Sequence, residues 1–243
     1  MMREAVILAG GLGTRLRSVL PDTPKVLAPI GKHPFLYYLL HYLATQELSR
    51  VILSLGYQHQ LVQQWLAEAD KGQFPFEIQT VVEPQPLGTG GAISLSMSYA
   101  LAAQVFVLNG DTYFPISLSD MEQLHQSMKK PITLAACYLE DTGRYGSLEI
   151  DETHHTVKSF QEKRDRKPGW INAGIYCIDR TWWTSKPFPE IFSFEKGVLE
   201  TMVHYHAESS LVAVFQANQF FIDMGIPEDY IRAQQMIPAY ARI

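Results

Sequence analysis

Short apolar runs and helix-spaced apolar positions alternate through the first half of the chain. Residues 4–9 carry the consecutive apolar residues Val6, Ile7 and Leu8 and read as a short buried strand. A helix is expected near 34–47, opened by Pro34 and carrying Phe35, Leu36, Leu39, Leu40 and Leu43 at helical spacing. A strand at 50–55, a helix at 58–69, a strand near 76–82, a helix at 89–102 and a strand at 104–109 follow. Repeated βαβ units of this kind imply a parallel sheet with right-handed crossovers and helices on both faces. Past residue 130 the pattern turns strand-rich, at 131–139, 146–150, 156–161, 171–179, 211–216 and 219–222. Helices near 195–207 and 227–237 interrupt it. The expected class is α/β, with the second half forming a lobe added to the sheet and covering its crevice.

Composition narrows the partners. The 243 residues suit one large domain, and 47% apolar residues argue against disorder. A net charge of −5 argues against a general nucleic-acid or membrane-surface binder. Cys137 and Cys177 sit in apolar runs and read as buried free thiols, which suits a reducing compartment; a single disulfide stays open. With no leader-like start and no bilayer-length apolar run, a cytoplasmic, soluble protein is expected. The oligomeric state is left open, a homo-oligomer included.

In such a sheet, ligands bind beyond the carboxyl ends of the strands. There the first strand runs into Gly10, Gly11, Gly13, Thr14 and Arg15, with Lys25 following. The glycines bare the backbone amides, and the two cations match phosphate oxygens. The loop fits neither the dinucleotide fingerprint, because the third glycine is missing, nor the Walker loop. Asp111 follows a buried strand and Asp223 another. Each has an ordinary explanation as a turn aspartate, but beside a two-cation phosphate loop they point to magnesium, which takes few carboxylates and completes its shell with phosphate and water. Lys163 could neutralise a second phosphate and Glu162 accept sugar hydroxyls. Asn172, Gly174 and the Gly146 amide beside Tyr145 are further polar contacts. His204 and His206 fall in an expected helix, where i and i+2 diverge, and read as structural.

Residues 8–16, Pro24-Lys25, Glu83–Gly91, Asn109–Asp111, Glu162-Lys163, Asn172–Gly174 and Ile222–Tyr230 together resemble the sugar-1-phosphate nucleotidylyltransferases, in that family's order across nearly the whole chain. The resemblance implies a Rossmann-like, mostly parallel mixed sheet flanked by helices, with a strand-rich sugar-binding lobe. It implies a single catalytic domain whose residues 1–130 bind nucleotide and 131–243 bind sugar phosphate. The implied reaction joins an NTP to a sugar 1-phosphate, giving NDP-sugar and pyrophosphate, with magnesium. Asp111 and Asp223 would hold the metal, Arg15 the β- and γ-phosphates and Lys25 the α-phosphate. Lys163 would hold the sugar phosphate, and Glu162, Asn172 and Gly146 the sugar. Leu8, Gly10, Gly11, Glu83 and Gly88 would line the base and ribose.

Glu83 leans the choice of base towards GTP, because a carboxylate accepts both the N1–H and the exocyclic amine of guanine, whereas an amide suits uracil or thymine better. Within the family the motifs are most similar to members that transfer GMP to D-glycero-α-D-manno-heptose 1-phosphate in bacterial surface-polysaccharide synthesis. Val26-Leu27 stand where members often carry Pro-Met. Alternatives are a uridylyl- or thymidylyltransferase acting on a hexose or N-acetylmuramic acid 1-phosphate, and a noncatalytic nucleotide-sugar-binding protein.

Overall fold

Strand β1 (Glu4–Ala9) reads as continuously apolar because it is covered on both faces. Ala5 and Ile7 enter one apolar layer and Val6 the other. The computed structural model describes residues 2–11, 13–16, 19–69, 72–145, 147–161, 167–205 and 210–242. The other strands of the main sheet are β2 (Arg50–Leu55), β3 (Glu77–Val82), β4 (Gln104–Asn109), β5 (Ile132–Leu139), β6 (Ser147–Asp151), β7 (Thr156–Gln161), β8 (Gly169–Asp179) and β9 (Val212–Ala217). They form one nine-stranded sheet in the order β3-β2-β1-β4-β8-β5-β9-β7-β6.

Helices α1 (Phe35–Ala44), α2 (His59–Ala69), α4 (Leu118–Met128) and α7 (Pro227–Ala241) pack on one face. On the other lie α3 (Gly88–Met97), α5 (Arg180–Thr184), a π-helical turn (Glu195–Leu199) and α6 (Glu200–Tyr205). The fold is therefore the expected α/β sheet flanked by helices. β1, β2, β3 and β4 are parallel, as the βαβ pattern requires. β8 then runs antiparallel to β4 and to β5, so the strand-rich half continues the same sheet.

Three elements differ from their sequence expectation for identifiable reasons. α4 is unanticipated because it turns only Leu118, Met121, Glu122 and His125 inward; its Ser117 cap, which accepts the Asp120 amide, is its local signature. α3 stops at Met97 instead of near 102, because the amides of Leu101 and Ala102 bond instead to the buried Glu4 carboxylate. The strand expected at 219–222 shrinks to Ile222–Asp223, which pairs with Thr112–Tyr113. Cys137 and Cys177 are both buried and free, so no disulfide joins them. His204 lies within α6, and His206 is outside the described residues. Among the described residues no helix is long and apolar enough to cross a membrane.

Glu4 ties the start of the sheet to the turn after α3. Its fully buried carboxylate accepts the Leu101 and Ala102 amides at 2.6 Å each, and the Arg50 Nε at 2.7 Å. Glu4→Ala would leave two amides without their acceptor and the mostly buried Arg50 guanidinium without its carboxylate, held only by Gln79 and the Tyr99 carbonyl. It is expected to cost about 3 kcal/mol, read as a lower urea midpoint at unchanged m-value.

Candidate active site

Because β1 to β4 run parallel, their carboxyl ends open on one edge, and there the chain crowds itself. A Cβ on Gly10 would stand 2.1 Å from Oε1 of Glu83, one on Gly56 2.7 Å from the Gly10 carbonyl, and one on Gly110 2.4 Å from the Leu8 carbonyl. Gly10 and Gly110 thus admit neighbouring protein atoms. Gly11, whose Cβ would meet nothing within 4 Å, faces open space, as a phosphate loop requires. Gly13 has φ +57° and starts the short 3-10 turn Thr14–Leu16 that carries Arg15.

A cleft of about 310 Å³ opens on this edge. Of the residues singled out in sequence, Leu8, Gly10, Gly11, Lys25, Glu83, Gly88 and Asp111 line it. So do Asn109, Thr89 and Glu195, to which sequence reasoning assigned no role. Asn109 was within reach of it, since it sits in the Asn-Gly-Asp motif. Glu195 carries no local signal, because only tertiary contact brings it to the cleft.

The two candidate metal ligands meet through a two-residue strand pairing. Asp223 lies opposite Thr112, and the Met224 amide donates to the Asp111 carbonyl at 2.9 Å. Nζ of Lys25 donates to Oδ2 of Asp111 at 2.5 Å. Asp223 is largely buried, and its Oδ1 has no hydrogen-bond partner among the described residues. Burial and the Asp111 carboxylate push Asp223 up to about 6, against the pull of the Lys25 charge, the Gly225 amide and the Arg15 charge. The Arg15 guanidinium is exposed and stands beside this turn, 3.6 Å from where a Cβ on Gly225 would be.

At the other end, Oε2 of Glu83 accepts the Leu87 amide at 3.0 Å, which fixes the carboxylate. Burial raises its pKa, and the Leu87 hydrogen bond opposes the rise. The loop after Glu83 is held by a strap, residues 190–195. Phe192 donates its amide to the Leu87 carbonyl and accepts from the Gly90 amide, both at 3.0 Å. The Phe194 amide donates to Oγ1 of Thr89 at 2.8 Å, and that hydroxyl donates to Oε2 of Glu195 at 2.7 Å. A Cβ on Gly88, Gly90 or Gly91 would come within 2.5 Å of the strap, so these glycines serve strap packing as well as any ligand.

Asn172 is tied into its own strand. Its Oδ1 accepts the Gly174 amide at 3.0 Å and its Nδ2 donates to the buried Tyr176 hydroxyl at 2.8 Å. Here β8 shifts register against β5, and Gly174, at φ +71°, passes so close to Asn109 that a Cβ would stand 2.6 Å from its Nδ2. Gly146, Glu162 and Lys163 lie outside the described residues. Just before Gly146, Arg144 pairs with the buried Asp229 near the start of α7.

A nucleotidyl transferase family matches residues 4–239. The chain is 37% identical, over 98% of its length and 99% of the relative's, to D-glycero-alpha-D-manno-heptose 1-phosphate guanylyltransferase of Aneurinibacillus thermoaerophilus. It is 38% identical, over 93% of its length and 96% of the relative's, to the protein of the same name from Campylobacter jejuni. Crystal structures of HddC from Yersinia pseudotuberculosis, one of them complexed with GMP-PN, superpose with a TM-score of 0.84 at 36% identity, covering 96% of this chain and 99% of theirs.

The raised Asp223 carboxyl has a sign that can be measured. Native Asp223 titrates near 6 against an ordinary 3.8, so between these values the folded state binds the extra proton. Its contribution to stability is present below the ordinary value and is lost as pH rises through about 6. In metal-free protein, Asp223→Asn should therefore gain on the wild type as pH rises from about 4 to about 7. Urea midpoints across that range check it, and a constant difference between the two proteins would exclude it.

Proposed function

The chain belongs to the nucleotidyl transferase family, and we propose that it transfers GMP from GTP to D-glycero-α-D-manno-heptose 1-phosphate, releasing pyrophosphate. The observation that carries this reading is the convergence of Lys25, Asp111 and Asp223 at one part of a cleft edge whose other part presents the Glu83 carboxylate. The names of the two relatives that match nearly end to end support the guanine nucleotide and the heptose.

Asp111 and Asp223 suit a magnesium ion. Two adjoining carboxylates, one with a buried oxygen that has no donor among the described residues, match a cation that takes few protein ligands and fills its shell with phosphate and water. When bound, the ion supplies neutralisation between the carboxylates and the triphosphate. The remaining work falls to the chain's own groups. Arg15, on its exposed turn, takes the β- and γ-phosphates; Lys25, already held by Asp111, presents its ammonium to the α-phosphate. The attacking oxygen belongs to a phosphate that is anionic at neutral pH, so no general base is needed. The barrier is repulsion between anions, which the cations lower while aligning the nucleophile opposite pyrophosphate.

Glu83 recognises guanine. Its Oε2 is anchored by the Leu87 amide, and the fixed carboxylate offers acceptors to the paired N1–H and amine of the base. Lys163 holds the sugar phosphate, with Glu162, Asn172 and the Gly146 amide on the sugar.

Pyrophosphate release across four NTPs and a panel of sugar 1-phosphates tests the reading. GTP with the heptose 1-phosphate should give the highest kcat/KM. A higher value for UTP or dTTP, or for a hexose 1-phosphate, would overturn the assignment of that substrate. Asp111→Asn should lower kcat/KM by about 100-fold or more, as loss of one transition-state charge contact does. Glu83→Gln should narrow the preference for GTP over UTP, and an unchanged ratio would remove Glu83 from base recognition.

A further inference from the structure

Glu195 lines the cleft from the start of the π-helical turn Glu195–Leu199, a local geometry that recurs at functional sites. Its carboxylate is locked at one oxygen only. Oε2 accepts the Thr89 hydroxyl at 2.7 Å and the Ser193 hydroxyl at 3.0 Å. Thr89 is itself oriented, because its oxygen accepts the Phe194 amide at 2.8 Å and its proton is thereby left for Glu195. Oε1 has no hydrogen bond among the described residues, so it is the acceptor left for a ligand.

The chemistry of that acceptor selects its partner. A carboxylate repels phosphate oxygens and accepts from hydroxyls or amines. Its neighbourhood selects the end of the cleft. The Glu195 and Asp111 carboxylates, after burial, push up the phenol of Tyr176, which is the hydroxyl bonded to Asn172. The Tyr176 ring also meets Phe194, the residue before Glu195, edge to face at 4.9 Å. Glu195 therefore approaches from the Asn172–Tyr176 side, whereas Glu83 stands over Gly10.

We propose that Glu195 is a specificity-determining residue that accepts a hydrogen bond from a hydroxyl of the sugar 1-phosphate through Oε1, while Thr89 and Ser193 hold its other oxygen. The strap thereby joins the two substrates: the segment that fixes the loop after Glu83 also carries the group that reads the sugar. This rests on the transferase reading above, so the test uses binding as well as turnover.

Calorimetry would measure the heptose 1-phosphate and a non-hydrolysable GTP analogue separately, on wild type, Glu195→Ala and Glu195→Gln. The glutamine variant keeps an oxygen for Thr89 and Ser193 and so keeps the fold, which an unchanged Tm checks. Both variants should bind the sugar phosphate about tenfold or more weakly, as loss of a charged acceptor does, with the GTP analogue changed less than about twofold. Among monodeoxy sugar 1-phosphates, one should bind wild type and Glu195→Ala equally. Equal weakening of both ligands would make Glu195 a structural tether of the nucleotide loop and overturn the proposal. Sugar-phosphate binding within about twofold of wild type in either variant would also overturn it. Wild-type binding without pyrophosphate release would sink the transferase reading and leave the Glu195 contact standing.

Discussion

The site is organised around the mutual repulsion of two carboxylates that the fold holds together. Asp111 follows a buried strand of the parallel half, and Asp223 lies before α7; the short pairing of Thr112–Tyr113 with Ile222–Asp223 brings them to one place. Left alone, such a pair destabilises the folded chain: burial first, and the Asp111 charge second, raise the Asp223 carboxyl. Lys25 and Arg15 offset part of it from the phosphate loop. What remains is a buried oxygen, Oδ1 of Asp223, that has no donor among the described residues.

Crowding at the carboxyl edge sets the second constraint. Gly10 and Gly110 are backbone positions where neighbouring protein atoms already occupy the space of a side chain, and Gly88, Gly90 and Gly91 make room for the strap. Gly11, by contrast, has nothing where its side chain would stand, as expected of a glycine that a phosphate approaches. A glycine-rich motif in this setting therefore records two demands at once, close packing of the chain on itself and access for a ligand. The strap shows how they combine: Phe192 and Thr89 fix the loop after Glu83, and that loop's amide at Leu87 fixes Glu83.

Much of this was legible in the chain. Runs such as Val6–Leu8 and Val105–Leu108 are apolar throughout because helices cover both faces of the sheet, so strand identity survives without knowledge of neighbours. Seven of the predicted residues, Lys25, Glu83 and Asp111 among them, line one cleft, because the rule for parallel strands puts their ends on one edge. The misses have local causes. α4 hides because few of its residues are apolar, and α3 is shorter than its sequence suggests because a carboxylate from β1 takes the amides that would have continued it.

The sequence by itself determined the alternation of strand and helix, the placement of the glycine loop and acidic groups at strand ends, and the family, because these depend on periodicity and on short contiguous motifs. The tertiary structure alone decided that the strand-rich half extends the same sheet and that Asp223 is buried beside Asp111. It alone made the glycines of residues 88–91 the seat of a strap, and it brought Glu195 into the cleft. Each of these is a contact between segments far apart in the chain, and such contacts are fixed by how whole faces pack, which no local spacing of residues encodes.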